Sequence, residues 1–152
     1  MDVLIVGYGV VGHNLAKGIE RIEPEIYDKY KKVDTRSKDK YDLCVICVDT
    51  PLSEDLLCDT TEVENALKEH DADIYVLKST VLPHTTEKLI EATGKSIVFS
   101  PEYYGSTQHC NNFDFDFTIL GGERNACLKV IQILQEVFDA RHTFRKIGRA
   151  HV

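Results

Sequence analysis

Val3-Leu4-Ile5-Val6-Gly7-Tyr8-Gly9-Val10-Val11-Gly12 stands almost at the start of the chain, and its reading decides the fold. Four consecutive aliphatic residues predict a strand buried on both faces. The glycines after it have G-x-G-x-x-G spacing, and apolar residues three and four apart then predict a helix over 11–22. Each glycine has a mechanical use in such a strand-turn-helix unit. Gly7 allows the tight turn, Gly9 lets the backbone approach a pyrophosphate, and Gly12 lets helix and strand pack closely, while free N–H groups at the helix start face the phosphates. Gly7, Tyr8, Gly9, Val10, Val11 and Gly12 are therefore the expected dinucleotide-binding segment.

Working outward, the next apolar run, 25–27, leads into Asp28, 21 residues after Gly7. That is close to the spacing at which a carboxylate accepts hydrogen bonds from the adenosine ribose hydroxyls. The cofactor this predicts is NAD. A 2′-phosphate would need a cation at that place, and although Lys29 is adjacent, the Asp28 carboxylate would repel the phosphate.

Further apolar runs at 43–48, 74–77, 97–99, 117–120 and 142–145 complete the candidate strands, with 2–6 and 25–27 as the first two. Helical patterns fall at 61–70, 85–92 and 124–138, besides 11–22. In the last of these Cys127, Val130, Ile131, Leu134, Val137 and Phe138 make one stripe. Thr60 or Thr61 with Glu64 resembles a capping box. Strands alternating with helices predict an α/β, Rossmann-type, doubly wound and mostly parallel sheet in a single domain. The turn-rich stretch 100–116 is long for a loop in a compact domain, and such loops are more often functional than idle.

Composition limits the possible roles. At 152 residues the chain accommodates one domain, and a net charge of −7 argues against nucleic acid or an anionic membrane as partner. The basic run Lys29, Lys31 and Lys32 reads as a solvated surface. With no leader and no long apolar span, the expected setting is cytoplasmic. The five cysteines suit reduced thiols rather than a disulfide framework, and no metal site is expected. Cys44 and Cys47 have CxxC spacing, but on a strand they point to opposite faces and read as core. His109-Cys110 is a weak case for a metal, since no further spaced ligands accompany the pair.

Three later segments, taken with the glycine turn, resemble the N-terminal half of the UDP-glucose and GDP-mannose 6-dehydrogenase family over nearly the whole chain. Cys47-Val48-Asp49-Thr50-Pro51 resembles the family's Val-x-Thr-Pro turn. Lys78-Ser79-Thr80-Val81-Leu82-Pro83-His84-Thr85-Thr86 is similar to its Lys-Ser-Thr-Val-Pro-Pro-Gly-Thr-Thr segment, and Ser100-Pro101-Glu102-Tyr103-Tyr104 to its Asn-Pro-Glu-Phe-Leu. All three sit at predicted strand ends, where ligands bind in open α/β sheets. Singly, Thr80 reads as well as a helix cap and Glu102 as a solvated loop residue; as an ordered set they read as function. The resemblance implies two successive hydride transfers from C6 of a nucleotide sugar to NAD, UDP-glucose being the expected substrate and polysaccharide biosynthesis the setting. It places Val48, Asp49, Thr50, Ser79 and Thr80 along the dinucleotide, the Thr80 hydroxyl near the reacting carbon, and Glu102 by the sugar as an acid/base or water-positioning carboxylate.

The chain also departs from the family pattern. Ser106 stands where the family usually has a second glutamate, and His84 replaces a turn glycine. The family's lysine and asparagine helix, its later nucleophilic cysteine and the helix through which it dimerises have no counterpart here, so the chain is expected to be incomplete and inactive alone. Ile147-Gly148-Arg149-Ala150-His151-Val152 matches one frame of a sequencing adapter, which divides the chain into a natural domain, 1–146, and a non-native tail, 147–152. Two other readings compete. A stand-alone NAD-binding regulatory module would share the glycine turn and Asp28 but would not need Ser79-Thr80 or Pro101-Glu102. A β-hydroxyacid dehydrogenase relative would carry an early substrate loop that the chain lacks.

Overall fold

The structure is a computed structural model that describes residues 1–19, 21–54, 56–102, 117–138 and 143–147. The opening aliphatic run forms β1 (Val3–Val6), and the glycine turn delivers the chain into α1 (Val10–Gly18). Then come β2 (Glu25–Asp28), β3 (Val33–Asp34), β4 (Lys40–Tyr41), β5 (Leu43–Ile46), α2 (Thr61–Glu69), β6 (Asp71–Ala72) and β7 (Tyr75–Leu77). After these follow α3 (Thr85–Thr93), β8 (Ile97–Phe99), β9 (Phe117–Gly121), α4 (Arg124–Val137) and β10 (Thr143–Ile147). The main sheet has the order β10-β9-β8-β7-β5-β1-β2-β3. It is parallel at β2-β1-β5-β7-β8 and β9-β10, and antiparallel where β3 joins β2 and β9 joins β8.

Alternation along the strands splits the core in two, because successive side chains point to opposite faces. Val3, Ile5, Val45 and Val76 lie with the buried side of α4, including Cys127, Val130 and Leu134, and α1 adds Val11 and Leu15. Leu4, Val6, Ile46 and Leu77 lie on the other face with Val63, Ala66 and Leu67 of α2 and Leu89 of α3. Helices on both faces of a mostly parallel sheet make this the doubly wound α/β architecture expected from the alternation of apolar runs. Cys44 and Cys47 fall in different core clusters, as strand geometry requires. Burial pushes both thiols up, that of Cys47 to about 12.

Local differences from the sequence reading have local causes. The pattern over 11–22 continues past the helix end because Ile19 and Ile22 still pack on the core, although the helix stops at Gly18. The short strands β3, β4 and β6 carry no period of their own and exist through pairing. Glu25 of β2 holds the β3–β4 connection and β4 by accepting from Ser37 Oγ at 2.6 Å, from Tyr41 Oη at 2.6 Å and from the Ser37 amide at 2.6 Å. Those bonds, led by the Ser37 hydroxyl, hold its carboxyl down at about 2. The expected capping box is not formed: the Thr60 hydroxyl donates to Glu64 at 3.1 Å and makes no cap bond, while Asp59 accepts from the Thr61 amide at 2.9 Å. At α4 the cap is Glu123, which accepts from the Asn125 and Ala126 amides at 2.7 and 3.0 Å. The last strand reaches Ile147, whose backbone pairs with Gly121, one residue into the expected tail. Ser106, His109 and Cys110 lie outside the described residues, as do 148–152.

Candidate functional site

β1 is the switch point of the sheet, since the chain goes from it to β2 on one side and β5 stands on the other. The crevice at such a point gathers the loops after all three strands. A cavity of about 430 Å³ opens there, walled by Gly7 and Gly9, by Tyr27, Asp28, Lys29, Tyr30 and Lys31, by Cys47, Val48 and Asp49, and by one face of α2.

The glycine turn is built as the sequence requires. Gly7 has φ +91° in the left-handed half of backbone space, and a Cβ there would lie 2.6 Å from the Cys47 carbonyl oxygen. A Cβ on Gly12 would lie 1.9 Å from the Gly7 carbonyl oxygen. Gly9 is different. Nothing lies within 4 Å of where its Cβ would be, so its missing side chain leaves room for a ligand rather than for the fold. It also caps α1, which has no side-chain cap and no acidic residue in its first turn. The unfilled amides and the positive end of the helix dipole therefore suit an anion.

Asp28 is both ligand group and turn anchor. Its Oδ2 accepts from the Tyr8 amide at 2.7 Å, and its Oδ1 accepts from the Tyr30 and Lys31 amides, each at 2.9 Å. Partial burial opposes its charge, but the amides of Lys31, Tyr8 and Tyr30 and the Lys31 ammonium outweigh that and hold its carboxyl below the ordinary range. A carboxylate offers about four acceptor positions, so one on Oδ2 is left for a ribose hydroxyl. The neighbouring cations are engaged elsewhere: Lys29 pairs with Glu62 at 2.7 Å, and Lys31 Nζ donates to the Tyr8 carbonyl at 2.6 Å. Both ammonium groups are thus already partnered, and the Asp28 carboxylate beside them would repel a 2′-phosphate, which accords with NAD.

The other predicted residues occupy the adjoining strand ends. Val48 and Asp49 line the cavity. The Thr50 hydroxyl donates to the Thr80 carbonyl, and the Ser79 hydroxyl donates to the Val48 carbonyl at 2.7 Å, so the turns after β5 and β7 are tied together. Thr80 is exposed at this edge. Glu102, just beyond β8, is held by Lys78, a residue of the Lys-Ser-Thr segment to which the sequence pattern assigns no role. Lys78 Nζ lies 2.7 Å from Glu102 Oε2 and 3.3 Å from Ser100 Oγ, with the lysine side chain 8% and the glutamate 20% exposed. A lysine directly after the apolar run 74–77, next to Ser79, is the signal the sequence offers. Among the described residues no three His, Cys, Asp or Glu side chains cluster as metal ligands, and no helix is long and apolar enough to cross a membrane.

Removing one partner of so enclosed a pair strands the other charge, which typically costs about 3–5 kcal/mol. Lys78→Met should lower stability by about 3 kcal/mol, the low end because Glu102 keeps some water, and adding Glu102→Gln should restore most of it. Urea unfolding of both variants measures this. A single variant as stable as the parent would show that the pair is not coupled.

Several solved structures share this fold. A UDP-glucose dehydrogenase from Pyrobaculum islandicum superposes with TM-score 0.65 at 19% identity, over 97% of this chain and 46% of its own. A GDP-mannose dehydrogenase from Pseudomonas aeruginosa, solved as a ternary complex, gives 0.62 at 18%, over 98% and 46%. An imine reductase variant from Myxococcus stipitatus, solved with NAD+, gives 0.57 at 14%, over 97% and 54%. The chain thus spans about half the length of these proteins. Such different enzymes on one fold show that the likeness is one of architecture. No curated protein matches the sequence. The family assignment comes instead from residues 23–141, which match the UDP-glucose/GDP-mannose dehydrogenase family, NAD binding domain. That stretch begins after the glycine turn, so turn geometry and family match are independent observations, and together they place this chain in the UDP-glucose/GDP-mannose dehydrogenase family as an NAD-binding domain.

Proposed function

We propose that the chain is the cofactor half of a nucleotide-sugar 6-dehydrogenase of the UDP-glucose type, and that it does not complete turnover alone. The observation that carries this reading is the meeting, at one sheet edge, of a dinucleotide cavity with the Ser79-Thr80 turn and the Lys78–Glu102 pair. NAD, when bound, supplies the hydride acceptor. Gly9 and the start of α1 would hold its pyrophosphate, Asp28 its adenosine ribose, and Val48, Asp49, Thr50 and Ser79 its remaining length. Thr80 would face the sugar's C6. Glu102 would hold or move a proton, or orient water, and Lys78 fixes where its carboxylate stands.

The second oxidation of such a reaction requires a thiolate to trap the aldehyde. Burial pushes the thiols of Cys44, Cys47 and Cys127 up, so those three do not offer one. Calorimetric titration with NAD, NADP and UDP-glucose tests the reading. Binding of NAD, weak binding of UDP-glucose and no NADH formation are expected. Sustained NADH production from UDP-glucose would refute the inactivity, and preference for NADP would refute the role given to Asp28.

A further inference from the structure

At the C-terminal end of α2, side chains from four separate segments close on one another. Arg36, in the β3–β4 connection, lays its guanidinium over the Tyr27 ring of β2 at 3.9 Å. It also grips Asp34 of β3 with two bonds, Nε to Oδ1 at 2.8 Å and Nη2 to Oδ2 at 2.7 Å. His70, the C-cap of α2, meets the same Tyr27 ring edge-on at 4.9 Å between centroids, and its Nδ1 lies 3.4 Å from Arg36 Nη1. Tyr27 and His70 both line the cavity, so this cluster supports its wall.

The cluster depends on the charge of one ring. A guanidinium can only donate, so Nδ1 accepts and the neutral ring carries its proton on Nε2. A second proton would have to go on Nδ1. Two donors would then face each other with no acceptor between them, and two positive charges would stand side by side. The ring is the less free of the two partners. His70 is only 4% exposed, its N–H bonds to the Ala66 carbonyl at 3.3 Å, and its carbonyl accepts from the Tyr75 hydroxyl at 2.9 Å. The Arg36 side chain is 31% exposed and that of Asp34 49%, so the two can swing outward together. The backbone around them is tied to β2, the Thr35 amide to the Ile26 carbonyl at 2.9 Å and the Ser37 amide to Glu25 at 2.6 Å.

We infer that neutral His70 latches Arg36 over Tyr27, and that a proton on the ring opens the latch, which makes this end of the cavity wall acid-sensitive. The latch is a property of the wall, whatever occupies the cavity. Burial opposes the charged ring most strongly and Arg36 next, with Lys95 from the turn before β8 adding to them. Glu69 and Asp34 favour the proton, as does the negative end of α2, but they are outweighed, and the ring titrates below the ordinary imidazole value. The folded state therefore holds this proton less tightly than the unfolded chain does. The stability that the latch contributes is fully present above about pH 6.5 and is lost as pH falls below it, towards the lower folded value.

An NMR titration of the parent chain from about pH 8 to about pH 5 tests this, following the His70 ring nitrogens and the Arg36 Nε–H signal. At neutral pH the ring should carry its proton on Nε2, and its midpoint should fall below about 6.5. Arg36 Nε–H, shielded by the Tyr27 ring beneath it, should move downfield with the same midpoint. In His70→Gln, which stays neutral and keeps an acceptor for Arg36, that signal should stay where it is across the range. In Arg36→Met, which keeps an apolar stem over Tyr27 and removes the charge, the His70 midpoint should rise towards about 6.5. A neutral ring protonated on Nδ1 overturns the inference, as does an Arg36 signal that ignores the titration of His70 or that moves unchanged in His70→Gln. If the glutamine variant does not fold, Arg36→Met decides, and a His70 midpoint equal to the parent's refutes the latch.

Discussion

Alanine at Gly9 is expected to abolish NAD binding and leave the fold intact, while alanine at Gly12 is expected to abolish the fold. The two glycines belong to one motif and stand three residues apart, yet their surroundings are opposite. At Gly9 the added methyl meets no protein atom within 4 Å and points into the space where phosphate oxygens would approach the α1 amides. The methyl replaces close contact with the backbone, so affinity should fall by at least about a hundredfold while thermal unfolding stays within a degree or two of the parent. At Gly12 the methyl would lie 1.9 Å from the Gly7 carbonyl oxygen and 3.3 Å from the Ile5 side chain. Backbone cannot yield as a flexible side chain can, so helix and strand must separate, at a cost of more than about 4 kcal/mol. Circular dichroism melts and calorimetry on both variants decide the matter. A Gly9→Ala protein that still binds NAD would remove the phosphate role from this turn.

Asp28→Ala should be nearly as damaging to binding, and it should damage the fold as well. The carboxylate accepts from three amides, Tyr8, Tyr30 and Lys31, and these would be left without their acceptor. Partly exposed amides recover some hydration, which puts the stability loss at about 2 kcal/mol and the loss of NAD affinity at about a hundredfold. Asp28→Asn separates the two effects. It keeps one acceptor oxygen but turns a donor towards one set of amides, so it should lose binding to a similar degree while recovering little stability. A pH dependence follows from the lowered carboxyl. Because the folded state holds the proton less tightly than the unfolded chain, the stabilisation is fully present above the ordinary carboxylate range, about pH 4, and is lost as pH falls through the lower folded value. Unfolding free energy measured from neutral pH downward should therefore drop more for the parent than for Asp28→Ala. Parallel curves would show that Asp28 is not linked to stability.

Much of this architecture is legible in the chain because it depends on local rules. β1 is apolar at every position because both its faces are covered, and a run such as Val3 to Val6 can be read as a buried strand for that reason. The glycine turn is legible because φ +91° at Gly7 and the absent space at Gly12 admit no other residue without strain. The stripe on α4 shows its buried face through a repeat of three and four. Where the rule is weak, so is the reading. The threonines before α2 had the letters of a capping box, but Asp59 took the amide bond and left Thr60 and Glu64 to bond with each other.

The sequence by itself determined the doubly wound fold, the position of the glycine turn, Asp28 as the acid at the end of the second strand and the opposite facing of Cys44 and Cys47, because steric limits and side-chain periodicity act within a few residues. Only the tertiary structure decided what those groups face. It bound Asp28 to amides on two separate loops, brought Lys78 to Glu102 across 24 positions of chain, paired Lys29 with Glu62 and Lys31 with the Tyr8 carbonyl, and set the His70 ring against Tyr27 and Arg36. Those pairings depend on which strands lie side by side and how far one helix runs past another, and no spacing along the chain encodes such distances.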